Sequence, residues 1–152
     1  AINSGDDDLL LHKIVTQTKW DIKYIANKGA LVSSYIPQSI KSFYLQRLRY
    51  ASKGLIYYNI KTPTEVKIIL PFLYLTNLIC VISILQFINN YAIYWFIPLL
   101  MKSIVEIILI SKYMSKINIH FKLLYFIILM IIHPFYVTII GGIAPFTNVQ
   151  WK

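Results

Sequence analysis

Two short clusters in this chain hold the residue types that can handle a phosphate or a sugar. The first is Gln46-Arg47-Leu48-Arg49-Tyr50, followed by Ala51-Ser52-Lys53-Gly54. On a helix Gln46, Arg49 and Tyr50 stand at i, i+3 and i+4, so their side chains converge on one patch. Lys53 falls on the same side as Arg49. A guanidinium grips a phosphate through two parallel N–H bonds, and an aromatic ring offers a stacking face to a sugar or base. The Gln46 amide both donates and accepts hydrogen bonds. The same composition also suits a basic helix that only meets anionic lipid headgroups. In that case Lys53 is an ordinary snorkelling lysine.

The second cluster is Asp6-Asp7-Asp8, three of the six acids in the chain. Moving a sugar onto a hydroxyl requires a base that takes the acceptor proton as the new bond forms, and a carboxylate at a helix start can serve. Acids in a first helical turn also stabilise the helix dipole with no further role. The remaining candidates point to structure. Lys102 and Glu106 are four apart and read as an ion pair on one helix face. His12, His120 and His133 lack metal-ligand spacing, and His133-Pro134 reads as a kink. Cys80 reads as a small buried hydrophobe. There is no nucleophile motif and no Gly-rich phosphate loop.

The elements that must position these clusters follow from charge and hydropathy. Of the fifteen Lys and Arg residues, ten lie between Lys13 and Lys67, and five of the six acids lie at or before Glu65. The chain therefore divides into a polar part, residues 1–65, and a membrane part, residues 66–152. Ile68 to Ile88 is 21 residues without a charge, reaching about 31 Å at helical rise, enough for a bilayer core. Further spans are expected over 91–110 and 123–140. The second is the weaker of the two because of Pro98, Lys102 and Glu106, and it reads as a full crossing or a re-entrant piece.

The basic segment before Ile68 and the loop bearing Lys112, Lys116 and Lys122 are both expected to face the cytoplasm. That count puts the C-terminus on the outer face, unless the second segment fails to cross. Residues 39–58 show a helical period with Ile40, Tyr44, Leu48, Ala51 and Leu55 on one side, an interfacial amphipathic helix. Ala30 to Ile36 reads as a short strand ended by Pro37. Asp6-Asp7-Asp8 opens a helix through Val15. Basic residues that flank a membrane segment do not form the soluble basic face of a nucleic-acid binder.

Taken in order, Gly5-Asp6-Asp7-Asp8-Leu9-Leu10, then Gln46-Arg47-Leu48-Arg49-Tyr50, then membrane spans, the chain resembles the membrane-bound family-2 glycosyltransferases. These are the cellulose-synthase-like, hyaluronan-synthase-like and ceramide-glucosyltransferase-like enzymes. The resemblance implies an α/β fold. The polar part would be the C-terminal portion of a GT-A catalytic domain with its interfacial helix, followed by an all-α membrane region of two to three transmembrane helices. It implies Asp7 as general base, with Asp6 and Asp8 beside it. Gln46, Arg49 and Tyr50 would line the diphosphate and acceptor side, with Lys53 adding phosphate attraction. Tyr50 stands where the family usually has Trp, a smaller platform.

The partners implied are a nucleotide-sugar donor, a lipid or glycan acceptor and membrane lipids. The cofactor implied is a divalent metal, Mg or Mn, held by an Asp-x-Asp strand motif. No such strand motif occurs here, so the chain reads as a fragment lacking the nucleotide-binding half and inactive alone. Trp151-Lys152 likewise reads as an interrupted end. The expected place is the cell membrane, multi-pass, with the catalytic part cytoplasmic. The competing expectation is a non-enzymatic membrane protein whose basic helix binds anionic lipids.

Overall fold

The structure, a computed structural model, describes residues 6–147 apart from 26 and 121, with side chains from Leu10 onward. Six α-helices follow in order: α1 Asp6–Gln17, α2 Ile40–Ser52, α3 Ile56–Asn59, α4 Thr64–Asn90, α5 Ile97–Lys116 and α6 Leu123–Ile143. Short 3-10 turns punctuate them at Lys28–Ala30, Lys53–Leu55, Ile93–Phe96 and Ala144–Phe146.

The described residues are helical and contain no strand, which corrects the expected α/β GT-A remnant. The proposed strand Ala30 to Ile36 shows why. Its first residue closes a 3-10 turn, held by the Asn27 side chain accepting the Ala30 N–H at 2.9 Å. The rest runs irregularly with Val32, Tyr35 and Ile36 at 94%, 98% and 84% exposure. Strand preference reflects packing against cross-strand neighbours, and a short segment with no paired strand gains nothing from extending.

The chain forms two compact units. One comprises Ala1–Lys23, Tyr35–Tyr74 and Ile139–Lys152. In it α1 ends where the Thr18 hydroxyl and N–H both donate to the Ile14 carbonyl, at 2.7 and 3.0 Å. His12 of α1 meets the Tyr57 ring of α3 edge-on at 5.2 Å. The Tyr58 hydroxyl donates to the Lys67 carbonyl at 2.7 Å, tying α3 to the first turns of α4.

The other unit comprises Tyr24–Ser34 and Leu75–Thr138. Its burial runs opposite to that of a water-soluble core. The buried residues of α4 are Asn77, Cys80 and Ser83, three apart on one face, and those of α5 are Leu99, Lys102 and Ser103. Ile79, Ile82, Leu85 and Ile88 face outward, each about half exposed. Keeping such side chains in water forgoes about 1.5–3 kcal/mol apiece, whereas lipid tails accept them freely and leave small polar groups to pack helix against helix. The three helices Thr64–Asn90, Ile93–Lys116 and Leu123–Phe146 are long and apolar enough to cross a membrane. This is the make-up of a multi-pass membrane protein, with lipids as partners.

Candidate functional site

The helix that carries Gln46, Arg49 and Tyr50 starts on a reciprocal cap. The Ser39 hydroxyl accepts the Ser42 N–H at 3.1 Å, and the Ser42 hydroxyl accepts the Ser39 N–H at 3.1 Å. Such a cap contributes about 1 kcal/mol and fixes the helical phase of everything downstream. Leu48 is the buried residue of α2, at 5% exposure. Ile40, Tyr44 and Leu55 lie on its side but remain exposed, as an interfacial helix requires.

On the opposite side Arg49, Tyr50 and Lys53 come together. The Arg49 guanidinium carbon stands 5.3 Å from the centre of the Tyr50 ring, and the Lys53 ammonium stands 5.4 Å from the same ring. Each contact contributes about 0.5–1 kcal/mol at an exposed site. Tyr50 keeps 47% of its surface open and Gln46 is half-buried beside it. A Cβ on Gly54 would meet nothing within 4 Å, so the approach past the end of α2 is open.

Residues 39–58 contain Lys41, Arg47, Arg49 and Lys53 and no acid. The chemistry on offer is therefore an anion grip with an aromatic platform beside it. The Arg47 guanidinium carbon lies 5.1 Å from the Phe43 ring, with Nε buried and without a hydrogen-bond partner among the described residues. The signal was present in the sequence, since Phe43 and Arg47 are four apart.

Asp6, Asp7 and Asp8 form the first turn of α1, and their side chains lie outside the described residues. Gly5 before them and Trp151-Lys152 at the other end also lie outside. Among the described residues no group of three or more His, Cys, Asp and Glu side chains could hold a metal ion. The divalent metal that the family resemblance implies belongs to an Asp-x-Asp strand motif that this sequence does not contain.

The end of α6 meets α2 within the first unit: the turn Ala144–Phe146 packs against α2. Tyr74 of α4 fits against Gly141 and Gly142 nearby, where a Cβ on Gly141 would meet the ring at 2.8 Å. A comparison with protein-family models, characterised proteins and solved structures finds no match to this chain.

Proposed function

We propose that this chain is the acceptor-side and membrane part of an inverting glycosyltransferase, acting at the cytoplasmic membrane face. The observation that supports this reading best is the placement of Arg49 and Lys53 on the Tyr50 ring, on an acid-free helix directly ahead of a span. A fixed guanidinium and an ammonium over one ring form a compact anion site with a flat apolar wall. A sugar diphosphate presents a matching pair of features. In the proposed reaction the Asp7 carboxylate takes the proton of an acceptor hydroxyl, with Asp6 and Asp8 flanking it. The freed oxygen attacks the anomeric carbon. The bond from that carbon to the diphosphate breaks, and configuration inverts. Negative charge gathers on the departing diphosphate, where Arg49 and Lys53 counter it, while Gln46 hydrogen-bonds the acceptor. One displacement needs no covalent intermediate on the protein. No step runs through a metal held by this chain's described residues.

A second reading rests on a specific observation, the exposed apolar side of α2 at Ile40, Tyr44 and Leu55. With that side in the bilayer, the basic side binds anionic headgroups and the protein is not an enzyme. The test uses membranes containing the complete protein, offered a panel of labelled nucleotide-sugars. The proposal expects label in a lipid or glycan fraction, lost in Asp7→Asn. Equal label in Asp7→Asn, or none with any donor, favours the lipid-binding reading.

A further inference from the structure

The segment that ends α5 carries a second polar site, separate from the helix of Arg49 and Tyr50. A cavity of about 430 Å³ is lined by Ser111, Met114, Ser115, Asn118, Ile119 and His120, within the range of about 300–1,000 Å³ usual for small-ligand pockets. Ser111 and Ser115 are four apart and share a helix face. Asn118 takes a left-handed backbone at φ 54°, which stops α5 and turns the chain toward His120.

None of these four polar side chains has a hydrogen-bond partner among the described residues. Other helix hydroxyls behave differently. Ser52 donates to the Arg49 carbonyl at 2.9 Å and Ser103 to the Leu99 carbonyl at 2.6 Å. Ser111 and Ser115 make no such bond, so both hydroxyls remain available to a ligand.

The charge around the cavity has one sign. Lys112, Lys116 and Lys122 lie within a few residues of its lining in sequence, though none lines it, and no Asp or Glu follows Glu106 in the chain. The end of α5 carries the negative pole of a helix dipole, equivalent to about half a charge. Three ammonium groups exceed it, and the net field attracts an anion. The cavity also sits where an apolar helix long enough to cross a membrane reaches its end, the level at which a spanning helix meets headgroup phosphates. We infer that the cavity formed by Ser111, Ser115, Asn118 and His120 binds a phosphate group, carried by an anionic phospholipid headgroup.

The test must separate the cavity from the general pull of the lysines. The full-length protein in neutral detergent is exposed to phosphatidylglycerol, phosphatidylcholine or inorganic phosphate, and bound species are counted by native mass spectrometry. Ser111→Ala/Ser115→Ala keeps every lysine and raises helix propensity. His120→Gln is a second, independent variant that leaves α5 untouched. The expected result is preferential retention of phosphatidylglycerol, falling about tenfold in the double-serine variant as two hydrogen bonds to a charged group are lost, and falling in His120→Gln as well. Retention of inorganic phosphate with the same variant sensitivity would support the site with a soluble phosphate as its source. Retention unchanged in both variants would overturn the inference, since the lysines alone would then account for binding.

Discussion

The ring of Tyr74 occupies the space that a Cβ on Gly141 would need, with the nearest ring carbon 2.8 Å from that position. This contact joins the early part of α4 to the late part of α6, close to the turn that packs on α2. Gly141→Ala should destabilise the protein by about 1–3 kcal/mol, the usual cost of overpacking. Trimming the ring with Tyr74→Ala in the same molecule should remove most of that added penalty. Thermal unfolding of the two single variants and the double variant measures the coupling. Simple additivity would show that the ring and the glycine do not compete for space.

The same packing predicts membrane sidedness. Ile40 on α2 and Phe146 after α6 are both 89% exposed. In a Cys80→Ser background, Ile40→Cys and Phe146→Cys should react with a membrane-impermeant maleimide from the same side of sealed vesicles. Labelling from opposite sides is the result that the loop lysines predict.

Within α5 the Lys102 ammonium pairs with Glu106 at 2.5 Å, with the two side chains 6% and 31% exposed. Removing one partner of a buried pair costs up to about 3–5 kcal/mol, and less here because Glu106 is partly open. Glu106→Leu should therefore lower the melting temperature more than Lys102→Leu/Glu106→Leu, which leaves no stranded charge. The reverse order would mean that the pair is incidental.

A pH effect follows from Tyr24. A hydrogen bond with the Tyr113 hydroxyl holds its proton and raises its pKa above the ordinary tyrosine value. A raised folded-state pKa means the contact is fully present below the unfolded value, near 10, and is lost as pH rises through the folded one. Phenolate absorbance should show one tyrosine titrating late in the wild type and not in Tyr24→Phe. Identical titration curves would remove the bond from the account.

The spans were legible because length and apolarity are read directly from residues. Ile68–Ile88 became Thr64–Asn90, and 123–140 became Leu123–Ile143. The second span, expected over 91–110, became Ile93–Lys116, and its α-helix begins only at Ile97 for local reasons. Tyr91 adopts a left-handed backbone at φ 52° and ends α4, a 3-10 turn follows over Ile93–Phe96, and Pro98 suits the first turn of α5. Helical phase placed Arg49, Tyr50 and Lys53 on one side of α2, and there the structure agrees. What stayed hidden depends on contacts distant in sequence. Nothing near Ala30–Ile36 reports that no strand will pair with it, and nothing near Gly141 reports that Tyr74 will fill the gap. The cavity at Ser111 was equally silent, because its one visible sign is a pair of serines four apart.

The most direct test of the proposed transferase is Arg49→Lys, which keeps the charge and removes the two-pronged phosphate grip. Transfer of labelled sugar by membranes containing the complete protein is compared with binding of the same protein to anionic vesicles. The account predicts at least about a tenfold loss of transfer, the effect of roughly 1.4 kcal/mol, with vesicle binding unchanged. Transfer at the wild-type level in Arg49→Lys would contradict a diphosphate grip and leave α2 as a helix that only binds lipid.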